Sequence, residues 1–339
     1  MPVTHQAAVL GAGSWGTALA IHLAGVGHHV TLWGRDAGLI EEMTARRANP
    51  TYLPDITFPD SLRPTADLGQ ALAGAHHVVL AVPSHGLRAV VRAAAESIPD
   101  SAVLVSASKG IEPESLQRLS GVIAEETGGR NPVVVLSGPS FAAEVVRGRP
   151  TALVAASPDL AAVKSVQERF RGPGFRLYAS DDVVGVEIGA ALKNVIAIAA
   201  GVTESLQLGH NALAALITRG LAEISRLACA VGGRRETLAG LSGLGDLVLT
   251  CTGELSRNRH VGIELGRGRA LPGILAGMRM VAEGVRTTEA ALALGRRHGV
   301  ELPIASQMAD VLSGRSTPRD AVANLMLRPQ RGETDGQPT

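Results

Sequence analysis

Residues able to do chemistry lie far apart in this chain. The first group is a glycine fingerprint, Gly11-Ala12-Gly13-Ser14-Trp15-Gly16, set between an apolar run at residues 7–10 and a helix-like segment. In that setting Gly11 makes a tight turn and Gly13 lets the backbone approach a pyrophosphate. Gly16 leaves room for helix to pack on strand, and the helix N-terminus offers N–H groups to phosphates. The spacing alone is weak in a chain with 40 glycines. The strand pattern before it, the helix pattern after it and a second apolar strand at residues 29–33 give it weight as a dinucleotide site. The second is Lys193, which with Asn194 interrupts an apolar helical run from residue 188 to 201. A lysine there either snorkels to the surface or is buried, and burial lowers its pKa until the neutral amine can act as a general base. The sequence leaves both readings open.

Further polar residues fall where strands should end or helices begin. Ser108-Lys109-Gly110 and Gly138-Pro139-Ser140-Phe141-Ala142 follow two strand patterns, on the edge where open α/β sheets bind ligands. Each also has a plain reading, a solvated loop lysine and a helix-start turn. Ser242-Gly243-Leu244-Gly245-Asp246 carries a glycine-flanked aspartate, and Ser256-Arg257-Asn258 suits a capped helix start whose positive end could hold an oxyanion or phosphate. Glu283 precedes another helix, where capping is the bland account. The pairs His28-His29 and His76-His77 precede strands, away from the ligand edge, and are expected at the surface. Cys229 and Cys251 read as small packed residues.

The end of the second strand bears on which dinucleotide binds. A carboxylate about twenty residues past the glycines holds the ribose of NAD, whereas an arginine suits the 2′-phosphate of NADP. Here Trp33-Gly34-Arg35-Asp36 offers both, and Asp36 is equally placed to cap a helix. Arg35 tips the reading toward NADP.

Positioning these residues requires an α/β fold: an N-terminal doubly wound Rossmann-type sheet followed by a mainly α-helical C-terminal domain. Strand patterns occupy 7–10, 29–33, 77–82, 102–106, 133–137, 151–156 and 175–178, mostly continuous Val/Leu/Ala runs suited to a parallel sheet buried on both faces. Helical segments include 85–97 and 114–127, and four prolines make 50–64 a loop-rich crossing. After residue 180 the strands stop. A long helix capped by Asp181 or Asp182 runs toward residue 207, followed by helices near 210–231, 257–267, 285–298, 304–313 and 318–326. The expected domains are 1–180 for the dinucleotide and 181–328 for substrate and catalysis, with 329–339 a disordered tail.

Composition narrows the partners. Hydrophobic residues at 45% give two domains proper cores, while aromatics at 2% leave almost no platforms for stacking nucleic-acid bases. A formal net charge of +1 gives no reason to expect a polyanion. Two cysteines build no disulfide framework and lack metal-ligand spacing, so no metal is expected and a reducing cytoplasm fits. The apolar N-terminal stretch has no basic leader and carries the fingerprint in its middle, which argues against a targeting signal and membrane insertion.

Taken in order, Gly11-Ala12-Gly13-Ser14-Trp15-Gly16-Thr17-Ala18-Leu19-Ala20, Ser108-Lys109-Gly110, Gly138-Pro139-Ser140-Phe141-Ala142, Leu192-Lys193-Asn194, Gly243-Leu244-Gly245-Asp246, Ser256-Arg257-Asn258 and Val281-Ala282-Glu283-Gly284 resemble the bacterial NAD(P)-dependent glycerol-3-phosphate dehydrogenase family over nearly the whole chain. The resemblance implies reduction of dihydroxyacetone phosphate to sn-glycerol 3-phosphate, the precursor of glycerophospholipids, with NADPH or NADH. It implies Lys193 as the acid–base group and Lys109, Asp246, Ser256, Arg257 and Asn258 as substrate ligands. It places Ser14, Trp15, Arg35, Lys109, Gly138, Ser140, Ala142, Arg257, Val281 and Glu283 around the cofactor, and it suggests a homodimer. Two alternatives remain at this stage: a related 3-hydroxyacid or sugar-acid dehydrogenase, against which the phosphate motif speaks, and a non-catalytic dinucleotide sensor, against which Lys193, Lys109 and Asp246 speak.

Overall fold

A computed structural model describes residues 5–278, 280–330 and 332. Most of the tail at 329–339 lies outside the described residues. The chain divides into two compact units, one formed by residues up to Ser108 with Leu119–Val183, the other by Lys109–Arg118 with the chain from Val184 onward. Residues 109–118 join the second unit although the chain on both sides of them belongs to the first.

In the first unit the strands are β1 (Gln6–Leu10), β2 (His29–Trp33), β3 (Ala48–Asn49), β4 (Leu53–Thr57), β5 (Leu62–Thr65), β6 (His77–Leu80), β7 (Val103–Ser106), β8 (Val133–Ser137), β9 (Thr151–Ala156) and β10 (Phe175–Ser180). Eight of them form one sheet in the order β10-β9-β8-β7-β6-β1-β2-β5, while β3 and β4 pair separately. The helices are α1 (Ser14–Gly25), α2 (Ala37–Arg46), α3 (Leu68–Leu72), α4 (Ser84–Ala94), α5 (Leu119–Glu126), α6 (Ala142–Val145) and α7 (Leu160–Phe170). Alternate residues of β1 show why the strands read as unbroken apolar runs. Ala7 and Val9 join the core that contains α1 and α7, while Ala8 and Leu10 join the core that contains α3 and α4. Both faces are covered, so neither can be polar.

Several expectations need correction. The sheet is parallel except where β8 meets β9 antiparallel, because the short link through α6 turns the chain back instead of crossing over. The proline-rich 50–64 stretch contains β4 and β5. Pro64 is tolerated in β5 because that strand lies at the edge of the sheet. The helix expected from residue 114 starts at Leu119, since Leu116 has a left-handed backbone (φ 61°) that a helix cannot pass through. His28 and His77 are buried, not superficial. His28 Nε2 lies 2.7 Å from the Arg169 carbonyl and His77 Nε2 lies 3.0 Å from Ser165 Oγ. The sheet's lower edge is therefore closed by α7, which the sequence reading did not place.

Helices build the second unit: α8 (Val183–Ser205), α9 (Gly209–Ala230), α10 (Arg235–Leu238), α11 (Asp246–Thr252), α12 (Arg257–Gly266), α13 (Leu271–Ala276), α14 (Glu283–Arg297), α15 (Pro303–Leu312) and α16 (Pro318–Met326). α8 is its axis, with every residue from Gly185 to Thr203 buried. It is long and apolar enough to cross a membrane, but 89% of its most apolar window is covered by the rest of the fold. Its apolarity is that of a core helix. It stops near Gln207, whose φ of 55° leaves the helical region.

Two glycines let α8 and α12 touch backbone to backbone. A Cβ on Gly201 would stand 2.0 Å from the Arg259 carbonyl oxygen, and one on Gly262 would stand 1.9 Å from the Ile198 oxygen. At the start of α14, a Cβ on Gly284 would stand 2.5 Å from the Asn194 oxygen. These contacts fix the spacing of α8, α12 and α14, three of the helices that bear the polar motifs.

Candidate active site

Burial of α8 from Gly185 to Thr203 decides the Lys193 question. The residue is 6% exposed, so it does not snorkel. Its Nζ donates to Asp246 Oδ1 at 2.5 Å and to Thr250 Oγ1 at 2.7 Å. Lys109 Nζ donates to the other carboxylate oxygen, Asp246 Oδ2, at 2.6 Å. A single buried carboxylate thus holds two ammonium groups, and the Thr250 hydroxyl donates back to the Asp246 carbonyl at 2.6 Å. Charged hydrogen bonds of this length offset much of the cost of burying the ions.

Local backbone explains how Asp246 arrives there. The glycine-rich run forms a π-helical turn, Leu241–Gly245, that leads directly into α11 with Asp246 as its first residue. A Cβ on Gly243 would come 2.1 Å from the Leu238 oxygen, so this turn closes only around glycine. Such π turns recur at functional sites because they re-aim one side chain without ending the helix. The sequence shows only a glycine-flanked aspartate here and gives no role to Thr250. The available signal was helical spacing, since Thr250 lies four residues past Asp246 and so on the same face of α11.

Electrostatics follow from the burial. Removal from water pushes the Lys193 pKa down to about 8, with the Lys109 charge acting in the same direction and Asp246 opposing both. Burial pushes the Asp246 carboxyl up, but Lys109 and Lys193 outweigh it and leave the group below its ordinary range. Next to this cluster the Cys251 thiol is raised by burial to about 12, which makes it a poor nucleophile and supports its reading as a packed residue.

The remaining motif residues of this unit divide between exposed and bracing positions. Ser256 caps α12, accepting from the Arg259 N–H at 3.3 Å. Asn258 is buried; it donates to Asn194 Oδ1 and accepts from the Gly284 N–H, both at 2.9 Å. Asn258 therefore ties α8, α12 and α14 together beside Lys193. Arg257 is exposed at the first turn of α12, Val281 is exposed, and Glu283 opens α14 half-buried.

In the first unit, the parallel strands β1, β2, β6, β7 and β8 deliver their C-terminal ends to one edge. β1 leads to β2 on one side and pairs with β6 on the other, which makes it the switch point where such sheets accept a dinucleotide. The fingerprint fits that task. Gly11 has φ 119°, and its missing Cβ would lie 2.5 Å from the Ala81 oxygen. A Cβ on Gly16 would lie 1.9 Å from the Gly11 oxygen, whereas Gly13 faces open space. Gly13 is also the N-cap of α1, and no side chain caps the helix there. The Trp15 indole N–H is buried with no hydrogen-bond partner, as expected of a donor that awaits a ligand or water.

Around that edge the other expected residues take clear positions. Arg35 is exposed one residue beyond Gly34 and has no ion pair among the described residues. Asp36 instead caps α2, accepting from the Leu39 N–H at 3.1 Å, so its helix-start role is the one adopted. Gly138 has φ 139°, Ser140 Oγ donates to the Gly138 carbonyl at 3.1 Å, and Ala142 opens α6. One bracing residue was missed: buried Asn49 donates to the Ala12 carbonyl at 2.9 Å and to Thr17 Oγ1 at 2.8 Å, clamping the fingerprint turn. Nothing in its sequence context distinguishes it from a turn asparagine. Among the described residues, no group of three or more His, Cys, Asp or Glu is placed to hold a metal.

Comparison with known proteins places this arrangement. Residues 6–163 match the family model for the NAD-dependent glycerol-3-phosphate dehydrogenase N-terminus, and residues 182–323 match the model for its C-terminus. The chain is 52% identical over 330 residues to the glycerol-3-phosphate dehydrogenase [NAD(P)+] of Koribacter versatilis, covering 96% of this chain and 98% of that one. It is 53% identical over 329 residues to the enzyme of that name in Syntrophotalea carbinolica, covering 96% and 99%. The crystal structure of the glycerol-3-phosphate dehydrogenase of Coxiella burnetii superposes with a TM-score of 0.93 at 41% identity, covering 96% of this chain and all of that one.

Proposed function

The chain belongs to the NAD-dependent glycerol-3-phosphate dehydrogenase family, and from that premise we propose that it interconverts dihydroxyacetone phosphate and sn-glycerol 3-phosphate with NADPH or NADH. The observation that carries this reading is the buried Lys193–Asp246–Lys109 cluster, an acid–base group tuned close to neutrality. Membership in this family displaces the hydroxy-acid and sensor alternatives.

In the reductive direction the reduced nicotinamide, held at the fingerprint of the first unit, would supply a hydride to C2 of the ketone. Charge then develops on the ketone oxygen, and the Lys193 ammonium donates the proton that neutralises it. A positioned acid of this kind contributes roughly 10²–10⁴-fold. Lys109, held at the same carboxylate, adds positive charge where the oxyanion forms. In oxidation the neutral Lys193 amine takes the proton back, so that direction is favoured above a pH of about 8. Asp246 keeps both lysines in place; with Asp246 and Thr250 each accepting one Lys193 N–H, the third N–H is left for the substrate oxygen.

Arg257 supplies the charge for the substrate phosphate, with Ser256 and Asn258 setting the helix start from which it projects. Binding energy at the phosphate, remote from the reacting carbon, orients the ketone. Gly11, Gly13, Ser14, Trp15 and Gly16 cradle the pyrophosphate, Arg35 pairs with a 2′-phosphate, and Gly138, Ser140, Ala142, Lys109, Arg257, Val281 and Glu283 complete the cofactor contacts. The product feeds glycerophospholipid synthesis in the cytoplasm, and the working form is a homodimer.

The test is direct. Purified protein should consume NADPH when dihydroxyacetone phosphate is added, and no loss of absorbance at 340 nm would sink the assignment. Lys193→Ala should abolish turnover while cofactor binding persists; an active variant would remove Lys193 from the acid–base role.

A further inference from the structure

The segment Lys109–Arg118 packs within the second unit although its chain neighbours on both sides belong to the first. It begins at the lysine that meets Asp246 and ends at an arginine whose guanidinium donates to Glu187 Oε2 at 2.7 Å. Glu187 lies on α8, six residues before Lys193, roughly 9 Å along the same helix. We infer that the Arg118–Glu187 ion pair is a positioning device for Lys109, fastening the loop to the helix that carries Lys193 and so holding the Lys109 ammonium on Asp246. The inference rests on the proposed acid–base role of that cluster.

The loop's own bonds explain how a contact at one end reaches the other. Ile111 and Arg118 form an antiparallel bridge, and the Glu112 N–H donates to the Gln117 carbonyl at 3.0 Å. The two ends of the loop therefore lie side by side, and fixing Arg118 fixes Ile111, which is 2% exposed in the core of the second unit. Between that anchor and Lys109 stands only Gly110, whose φ of 146° suits glycine alone among common residues. A lysine joined to its anchor through one glycine gains its direction from where the anchor sits. Glu187 is itself 6% exposed, so its charge is a directional, low-dielectric attachment and not a solvated surface contact.

A purely structural salt bridge would stabilise the fold without altering Lys193. A positioning pair must also govern how strongly Lys109 acts on Lys193. The groups facing Lys193 are Asp246, Thr250 and Cys251 from α11 and Lys109 from the loop, and of the charged ones only Lys109 disfavours its ammonium form. Releasing Lys109 should therefore raise the Lys193 midpoint.

The experiment follows the Lys193 titration by ¹³C NMR of the lysine Cε in full-length wild type, Arg118→Gln, Glu187→Gln, Lys109→Met and the Arg118→Gln/Lys109→Met double variant. Wild type and Lys109→Met fix the scale, expected to differ by about one pH unit. Arg118→Gln and Glu187→Gln should each move the midpoint upward toward the Lys109→Met value. Arg118→Gln should add nothing once Lys109 is gone. Turnover with dihydroxyacetone phosphate should fall roughly tenfold in Arg118→Gln, as expected of a misplaced catalytic group, and recover in Arg118→Lys.

An unmoved midpoint in a variant that melts like wild type would overturn the inference, and so would a shift that persists in the Lys109→Met background. Arg118 is about one-third exposed and Glu187→Gln preserves shape, so either variant keeps the comparison available if the other fails to fold. The NMR midpoint needs no turnover. Wild type without activity on dihydroxyacetone phosphate would therefore count against the proposed reaction, while the midpoint comparison still judges the positioning pair.

Discussion

Replacing Asp246 with asparagine isolates the charge that holds the cluster together. The side chain keeps its size, and Thr250 can still donate to the backbone carbonyl of residue 246, so the change is electrostatic. The buried Lys193 ammonium and the half-buried Lys109 ammonium would then face each other without a carboxylate between them. An ion pair at about 4 Å is worth about 4 kcal/mol at an effective dielectric of about 20. At about 1.4 kcal/mol per pH unit, losing it should drop the Lys193 midpoint by roughly two to three units. From a starting value of about 8 this gives a midpoint between about 5 and 6, which is the range known for buried lysines without a partner.

The kinetic consequence can be worked through. At a pH of about 7.5 roughly three-quarters of the wild-type Lys193 is protonated, against roughly 1% in the variant if its midpoint is about 5.5. Reduction of dihydroxyacetone phosphate at saturating substrate should therefore slow roughly 75-fold at that pH and recover as the pH is lowered through the new midpoint. The assay is the pH profile of the reductive kcat, followed by NADPH absorbance. A variant that loses activity uniformly, with the wild-type pH profile, would refute the claim that Asp246 tunes Lys193 and leave it only a binding role.

Other perturbations test separate parts of the structure. Arg35→Ala should raise the Michaelis constant for NADPH well above its effect on NADH, because only the former presents a 2′-phosphate; equal effects would remove Arg35 from that contact. Gly262→Ala should lower the urea midpoint by the equivalent of about 1–3 kcal/mol or more, since its Cβ would meet the Ile198 oxygen at 1.9 Å and force α8 from α12. His77 carries a folded pKa depressed by burial to about 4, with His28, His5, His76 and Arg169 adding repulsion. Its contribution is present above the unfolded value of about 6.5 and lost as pH falls toward 4, up to about 3 kcal/mol. His77→Gln should accordingly flatten the acid side of a melting-temperature profile, and an unchanged slope would contradict the depressed pKa.

How much of this was legible depended on whether the signal was local. The β1–α1 turn could be read because Gly11, Gly13 and Gly16 answer to neighbours a few residues away or to an adjoining strand such as Ala81. Lys193 could be singled out because a lysine in an apolar run has only two fates, but choosing between them needed the packing of α9 to α15 around α8. Partners set by tertiary contact were invisible. Asn49 looks like a turn residue until it is seen to grip Ala12 and Thr17, and Arg118 looks like one more helical arginine until Leu116 breaks the helix and the loop joins the second unit. The buried histidines failed for the same reason. His28 does precede β2 and His77 opens β6, yet what covers them is α7, more than 80 residues later in sequence than His77.

The stoichiometry of the cluster, two lysines to one carboxylate, bears on the chemistry more than any single contact does. With Lys193 protonated the three groups carry a net charge of +1, and with it neutral they carry none. A lone buried Lys–Asp pair would already be neutral with the lysine protonated, and giving up that proton would strand an unpaired carboxylate in a low dielectric. Such a lysine would be a poor acid. Lys109 removes that penalty, because after Lys193 donates its proton the carboxylate still has a cation at 2.6 Å. The same arrangement suits both ends of the reaction: positive charge is present while negative charge grows on the substrate oxygen, and a balanced pair remains once the alcohol has formed. On the proposed mechanism, Lys109 thus matters less as a contact to substrate than as the counter-ion that lets Lys193 let go.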